Sequence, residues 1–220
     1  MRIRYKPWAR KELEESKFYR EHPEELIGKW KNEYARPEQP LFVELGCGKG
    51  GFISEKASLH PENNYLAIDL VDPMLGLAKR KVEEVYSEAD REIDNIILTR
   101  FDIERILLIL NKQDLVEGIY INFCNPWPRG KHHKKRLTYT RQLEHYKQFL
   151  KPGGKIYFKT DDDNLFEESI HYFEDTEFKI EKITRDLQNE PDFWENIETE
   201  HEKMFSEQGI KIKALIAKAK

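Results

Sequence analysis

Two cysteines in 220 residues are too few for a disulfide framework, and Cys47 and Cys124 lack the short paired spacing of a zinc site. No apolar run approaches the length of a membrane span, in keeping with a mean hydropathy of −0.79. The opening Met1-Arg2-Ile3-Arg4-Tyr5 is basic, but no apolar stretch follows it, which predicts a chain without a secretory signal. There is no internal repeat and no low-complexity linker. These absences predict a cytoplasmic protein with reduced thiols, no metal and no membrane partner. Monomer and homodimer both stay open.

What is present supports a packed interior. Hydrophobic residues make up 39% and aromatics 12% of a chain that is 35% charged, and this length holds one sizeable core. The net charge of −4 argues mildly against a polyanionic partner, but the charges are unevenly placed. Arg2, Arg4, Lys6, Arg10 and Lys11 crowd the N-terminus, residues 129–136 read RGKHHKKR, and acidic residues dominate from Glu190 to Glu202. Local patches, not the total, decide whether phosphates are attracted.

From Leu41 onward short apolar runs alternate with longer amphipathic ones, the pattern of an α/β fold around a mostly parallel sheet. Strands are predicted at 41–45, 65–70, 96–101, 118–123 and 155–160. A closing antiparallel hairpin is predicted from 178–184 and 209–217, with a long excursion between, giving seven strands. Helices are predicted after the glycine cluster at 51–59, from Asp72 as N-cap with Pro73 at the first helical position, at 103–110, at 138–150 and at 164–173. Pro152-Gly153-Gly154 reads as the stop after the fourth of these. Residues 1–40 carry no sheet pattern and are predicted to form a basic N-terminal arm or helix, with one domain over 41–220.

Glu44-Leu45-Gly46-Cys47-Gly48-Lys49-Gly50-Gly51 lies at a strand-to-helix turn, where doubly wound sheets bind ligands. Gly46, Gly48 and Gly51 also satisfy the dinucleotide spacing G-x-G-x-x-G. Glu44 separates the two readings. A carboxylate there repels a pyrophosphate, whereas S-adenosylmethionine carries an ammonium and a sulfonium and no phosphate. Gly46, Gly48 and Gly50 then let the backbone approach the cofactor. Asp69, about twenty residues on, ends the second strand where a carboxylate accepts ribose hydroxyls. Asp102 follows the third strand and can accept from the adenine amine or simply cap the next helix.

The fourth strand runs into Asn122-Phe123-Cys124-Asn125-Pro126-Trp127-Pro128 and then the basic run. Two prolines stiffen the turn around Trp127, which is expected to face the transferable methyl group. Five of the eight residues from Arg129 to Arg136 are Lys or Arg, a density suited to RNA phosphates. Trp127 can stack on a base or brace the turn. Phe193 and Trp194 can form a lid or pack the excursion down.

The segments VELGCGKGGF, INFCNPWPRGKHHKKRLT, LKPGGKIYFKTD and IETEHEKMF resemble the bacterial tRNA (guanine-N7-)-methyltransferase family, and the resemblance runs from Leu41 to the C-terminus. It implies a Rossmann-like class I S-adenosylmethionine-dependent methyltransferase fold, with helices on both faces of the sheet, acting on a guanosine in the tRNA variable loop. By position, Glu44, Asp69, Asp102 and Asn125 match the family's cofactor-binding residues, and Arg129 and Asp161 its substrate-binding ones. Lys131, His132, His133, Lys134, Lys135 and Arg136 match the RNA-contacting loop. Thr199, Glu200, His201 and Glu202 match a late substrate-binding motif.

This chain departs from the family pattern at three points. The family loop usually reads Pro-Asp-Pro-Trp, so Asn125 stands where a catalytic aspartate is often assigned. Arg129 replaces a common lysine, and Asp69 a common glutamate. Guanine N7 has a lone pair and no proton to lose, so Asn125 is expected to orient cofactor and base rather than move a proton. Two rivals remain. Asn-Pro-Trp-Pro faintly resembles the Asn-Pro-Pro-aromatic loop of amine methyltransferases, where the asparagine and a backbone carbonyl accept from the reacting amine. A non-catalytic tRNA-binding module on a decayed scaffold is the other, and it gives no reason for the cofactor set to persist. His132-His133 and Asp161-Asp162-Asp163 invite metal readings that their spacing does not support.

Overall fold

The computed structural model describes residues 4–220, and the chain divides into two compact units, one ending at Asp114 and the other running from Leu115 to Lys220. In the first unit β2 (Leu41–Leu45), β3 (Asn64–Asp69) and β4 (Ile96–Arg100) lie parallel, with β3 between the others. Tyr65, Leu66, Ala67 and Ile68 of β3 are all fully buried, as a parallel strand covered on both faces requires. The helix α2 (Gly51–Leu59) follows β2, and α3 (Asp72–Glu88) follows β3. Leu75, Ala78, Val82 and Tyr86 of α3 are buried at the three-to-four residue spacing of one helical face.

The residues before Leu41 belong to this unit. They form α1 (Pro7–Glu14) and β1 (Tyr19–Arg20), and β1 pairs in parallel with β4. Gly76 of α3 lets α1 approach: a Cβ added there would lie 2.7 Å from Cβ of Ala9. Arg10 is bonded to Glu14 and Glu21, so the basic start of the chain is partly neutralised by its own neighbours. Further on, Trp30 is fully buried and its Nε1 donates to the Ile109 carbonyl at 2.7 Å. Asp114 accepts from the backbone N–H groups of Gly28, Trp30 and Asn111. Burial raises the Asp114 carboxyl pKa, and those three N–H bonds oppose the rise.

The second unit holds β5 (Val116–Asn122) and β6 (Leu150–Thr160) in parallel, with β8 (Lys213–Lys218) antiparallel to β6 and β7 (Lys179–Thr184) antiparallel to β8. Its helices are α4 (Thr140–Lys147), α5 (Asp163–Asp175) and α6 (Glu200–Glu207). The mostly parallel α/β class and the closing antiparallel pair agree with the sequence pattern.

Four details differ from it. The described residues hold eight strands rather than seven, because two-residue β1 is too short to show alternation. Pro152-Gly153-Gly154 lies inside β6, where the register to β5 shifts between Val116 and Gly118 and Gly153 takes φ +77°. A bulge absorbs residues that otherwise end an element. The predicted helix after β4 is a 3-10 stretch over Ile103–Leu108. Asp72 does not cap α3 but is its first residue, after an uncapped Val71. Its carboxylate lies 3.4 Å from Nε of Arg100. No described helix is long and apolar enough to cross a membrane.

Replacing Trp30 by alanine is expected to cost about 3–5 kcal/mol through lost burial and an unfilled cavity. Equilibrium urea unfolding at constant slope checks this through the fall in midpoint.

Candidate active site

The glycine loop between β2 and α2 is held from below. Gly46 and Cys47 N–H groups donate to the Ile68 carbonyl, and Gly50 N–H donates to the Cys47 carbonyl. Gly46, Gly48 and Gly50 all have positive φ, at 80°, 55° and 79°, which side chains with a Cβ rarely adopt. At Gly50 a Cβ would also lie 2.8 Å from Cβ of Ala78, whereas at Gly48 and Gly51 it would meet nothing within 4 Å. The loop is tight against α3 on one side and open on the other.

Two carboxylates bracket this loop. Glu44 is 2% exposed in β2. Asp69, at the end of β3, accepts from Gly48 N–H at 2.9 Å and from Val71 N–H at 3.0 Å. Burial raises the Asp69 pKa above the ordinary aspartate value, and its backbone hydrogen bonds partly oppose this. Burial also drives the Cys47 thiol pKa well up, with Asp69 and Glu44 adding to the rise. Two acidic side chains thus act on the loop residue Cys47 from the ends of adjacent strands. Asp102 caps the 3-10 stretch, accepting from Glu104 N–H at 3.0 Å, so its capping role is present in the fold.

In the second unit the chain leaves β5 through a turn with two left-handed residues that are not glycine, Phe123 at φ 51° and Trp127 at φ 44°. Asn125, between them, is exposed, and its Oδ1 accepts from Trp127 N–H at 3.0 Å. Lys135 Nζ lies 5.1 Å from the Trp127 ring centre and His132 meets the ring edge at 5.7 Å, so Trp127 braces the basic 3-10 helix Gly130–Lys135. Arg129, Lys131, Lys134 and Lys135 are exposed, and His132 and His133 are half-buried. Cys124 is a free cysteine whose thiol pKa is pushed up to about 12 by burial.

Arg136 departs from the RNA-contact expectation. It is fully buried, and its Nε donates to the Pro126 carbonyl at 2.7 Å. The other nitrogens reach Glu168, Asn164 at 2.9 Å and Tyr172 at 3.5 Å. A guanidinium committed inside the protein has no face left for a phosphate. Burial pushes the Glu168 pKa up, but hydrogen bonds from Tyr172 and Asn164 and the Arg136 charge hold it below the ordinary value.

The late motif is organised by a residue the sequence pattern did not flag. Lys159 of β6 is fully buried and donates to Asn196 Oδ1 at 2.9 Å, the Ile197 carbonyl at 3.0 Å and Glu202 Oε2 at 2.6 Å. Thr199 and Glu202 form a capping box at the start of α6. Glu202, 2% exposed, is thus turned inward onto Lys159. His201 and Glu200 remain exposed, and the His201 ring stacks on Phe123 at 5.9 Å. Phe193 and Trp194 pack down: Phe193 belongs to a cluster with Leu187, Ile212, Ala214 and Ile216, against which Trp194 lies.

Asp161 is half-buried just past β6, and Lys213, also missed from sequence, donates to its carbonyl at 2.9 Å. Burial raises the Asp161 carboxyl pKa and Asp162 adds to the rise, while Lys213 and His201 oppose it. Asp162 caps α5 by accepting from Leu165 N–H at 2.6 Å. Among the described residues no group of three or more His, Cys, Asp or Glu is placed to hold a metal.

A family model described as "Putative methyltransferase" matches residues 38–215. A tRNA (guanine-N(7)-)-methyltransferase of Clostridium beijerinckii is 57% identical over 99% of this chain and 98% of its own length. One from Acetivibrio thermocellus is 48% identical over the whole of both chains. The chain belongs to the tRNA (guanine-N7-)-methyltransferase family. Its fold is that of class I methyltransferases. An antibiotic-related methyltransferase superposes with a TM-score of 0.58 at 17% identity, covering 82% of this chain and 87% of that one. The 16S rRNA methyltransferase KamB gives 0.58 at 13% identity over the same shares.

For this family member, Gly50→Ala is expected to lower the thermal midpoint, because Ala78 blocks a Cβ and φ is positive. Gly51→Ala is expected to leave the midpoint unchanged and to weaken S-adenosylmethionine binding, because only the open side of the loop is filled. Differential scanning calorimetry and titration calorimetry separate the two effects.

Proposed function

We propose that the protein transfers the methyl group of S-adenosylmethionine to N7 of a guanosine in the variable loop of tRNA. The residues present fit that cofactor, since open space at Gly48 and Gly51 lies in a loop flanked by the carboxylates of Glu44 and Asp69. Glu44 would hold the cationic methionine end, Asp69 the ribose and Asp102 the adenine, while Gly46, Gly48 and Gly50 shape the loop. When bound, the cofactor supplies an electrophilic methyl group on a positively charged sulfur.

One observation favours N7 over an exocyclic amine. An amine must give up a proton and needs acceptors to hold it. Each of the two acceptors that the rival loop reading requires already takes one hydrogen bond, the Pro126 carbonyl from Arg136 and Asn125 Oδ1 from Trp127 N–H, which leaves one lone pair on each for an amine. N7 asks for neither, because its lone pair is free and the positive charge passes into the purine ring. Catalysis then rests on placement, which supplies on the order of 7–11 kcal/mol in well-oriented systems.

In this reading Asn125 orients the cofactor and base through its exposed amide, which can donate. Asp161 accepts from guanine N1–H and the exocyclic amine. Arg129, Lys131, Lys134 and Lys135, with His132 and His133, take the RNA backbone. Thr199, Glu200 and His201 line the base, and Glu202 serves through Lys159.

Methyl transfer from labelled S-adenosylmethionine to unmodified bulk tRNA, followed by nucleoside analysis, is expected to yield 7-methylguanosine. A methylated adenosine amine would overturn the proposal, as would no transfer by folded protein that binds cofactor.

The raised Asp161 pKa sets a pH signature. As pH falls, the carboxylate is lost at a higher pH than for an ordinary aspartate, so kcat/KM is expected to decline early on the acid side. Asp161→Asn should remove that limb and lower kcat/KM by roughly ten- to hundredfold, the loss of one charged hydrogen bond.

A further inference from the structure

We propose that Arg136 is a positioning residue for the Asn125–Trp127 turn and not part of the RNA-binding surface, an inference that rests on the function proposed above. It closes a run of cations, yet it alone of that run is fully buried. Its guanidinium ties the turn to a helix of the second unit. Nε reaches back to the Pro126 carbonyl at 2.7 Å, and the two terminal nitrogens reach Glu168 and Asn164 on α5.

The turn needs such a tie. Phe123 and Trp127 both hold left-handed backbone at φ 51° and 44°, a conformation that costs free energy in residues with a Cβ. The Pro126 peptide lies between them. A carbonyl anchored by a charged donor, itself fixed to a helix at two points, holds that peptide plane in one orientation. The exposed Asn125 amide is thereby held in one place as well. Lysine is no substitute, because a point charge cannot reach the carbonyl and both α5 acceptors in one plane.

The experiment compares wild type, Arg136→Ala, Arg136→Lys and Lys134→Ala for 7-methylguanosine formation and for the salt dependence of tRNA binding. Wild-type product formation comes first, and its failure would count against the proposed function, not against this inference. Given that product, Arg136→Ala is expected to lower kcat at least tenfold while leaving the slope of log K against log salt unchanged. Guanidinium at millimolar concentration is expected to restore part of the lost kcat, and Arg136→Lys to remain slow. Lys134→Ala is expected to reduce the salt slope by about 0.7–0.9 per lost phosphate contact. A reduced salt slope in Arg136→Ala with unchanged kcat would make Arg136 a phosphate contact and overturn the proposal. If Arg136→Ala does not fold, Asn164→Ala and Glu168→Gln loosen the same guanidinium from α5. Both are expected to lower kcat without changing the salt slope, and unchanged kcat in both would overturn the proposal.

Discussion

A lysine ammonium with no exposed surface must be surrounded by acceptors, and in the second unit that requirement arranges much of the chain beyond β6. Lys159 meets it with a carboxylate, a side-chain amide and a backbone carbonyl, all drawn from Asn196 to Glu202. Removing one partner of a buried ion pair typically costs about 3–5 kcal/mol, because the other charge is stranded. The segment bearing Thr199 and His201 is thus fastened to the strand that also carries Thr160 and leads into Asp161. Segments far apart in sequence are held together by one buried side chain.

The same economy recurs elsewhere. Asp69 stiffens the glycine loop through Gly48, Lys213 steadies the backbone of Asp161, and Arg136 fixes the Pro126 peptide. In each case a charged side chain that is buried or half-buried fixes a backbone group of a loop or turn. The family's reaction at N7 suits such a design, since no proton has to be relayed and positional accuracy is what matters.

The sequence made legible the features that depend on local pattern. Apolar runs such as Tyr65–Ile68, the glycine loop after Leu45, the carboxylates at strand ends and the turn at Asn125 are all signalled within a few residues. The features it hid depend on contacts across the fold. β1 is two residues long, below the reach of any periodicity, and exists because β4 offers an edge. Arg136 looks like its neighbours Lys134 and Lys135, and only the placement of Glu168 and Asn164 turns it inward. Glu202 reads as a substrate ligand from its motif, but the buried ammonium of Lys159, far earlier in the chain, claims it. The one available signal was a lysine inside the otherwise apolar and aromatic stretch Ile156–Phe158 and Thr160, where a charge must have a partner.

The placement of β8 between β6 and β7 has a consequence for how the second unit forms. Among the described residues β7 pairs only with β8, so when synthesis proceeds from the N-terminus, β7 emerges with no strand to join. Until β8 is made, the outer edge of β6 and both edges of β7 are unpaired, which is a template for wrong pairing with another chain. Closure waits on contacts distant in sequence, a slow class of folding event. The interval between synthesis of β6 and of β8 is thus the stage at which an open sheet edge is exposed, and a chaperone that shields such edges would act then.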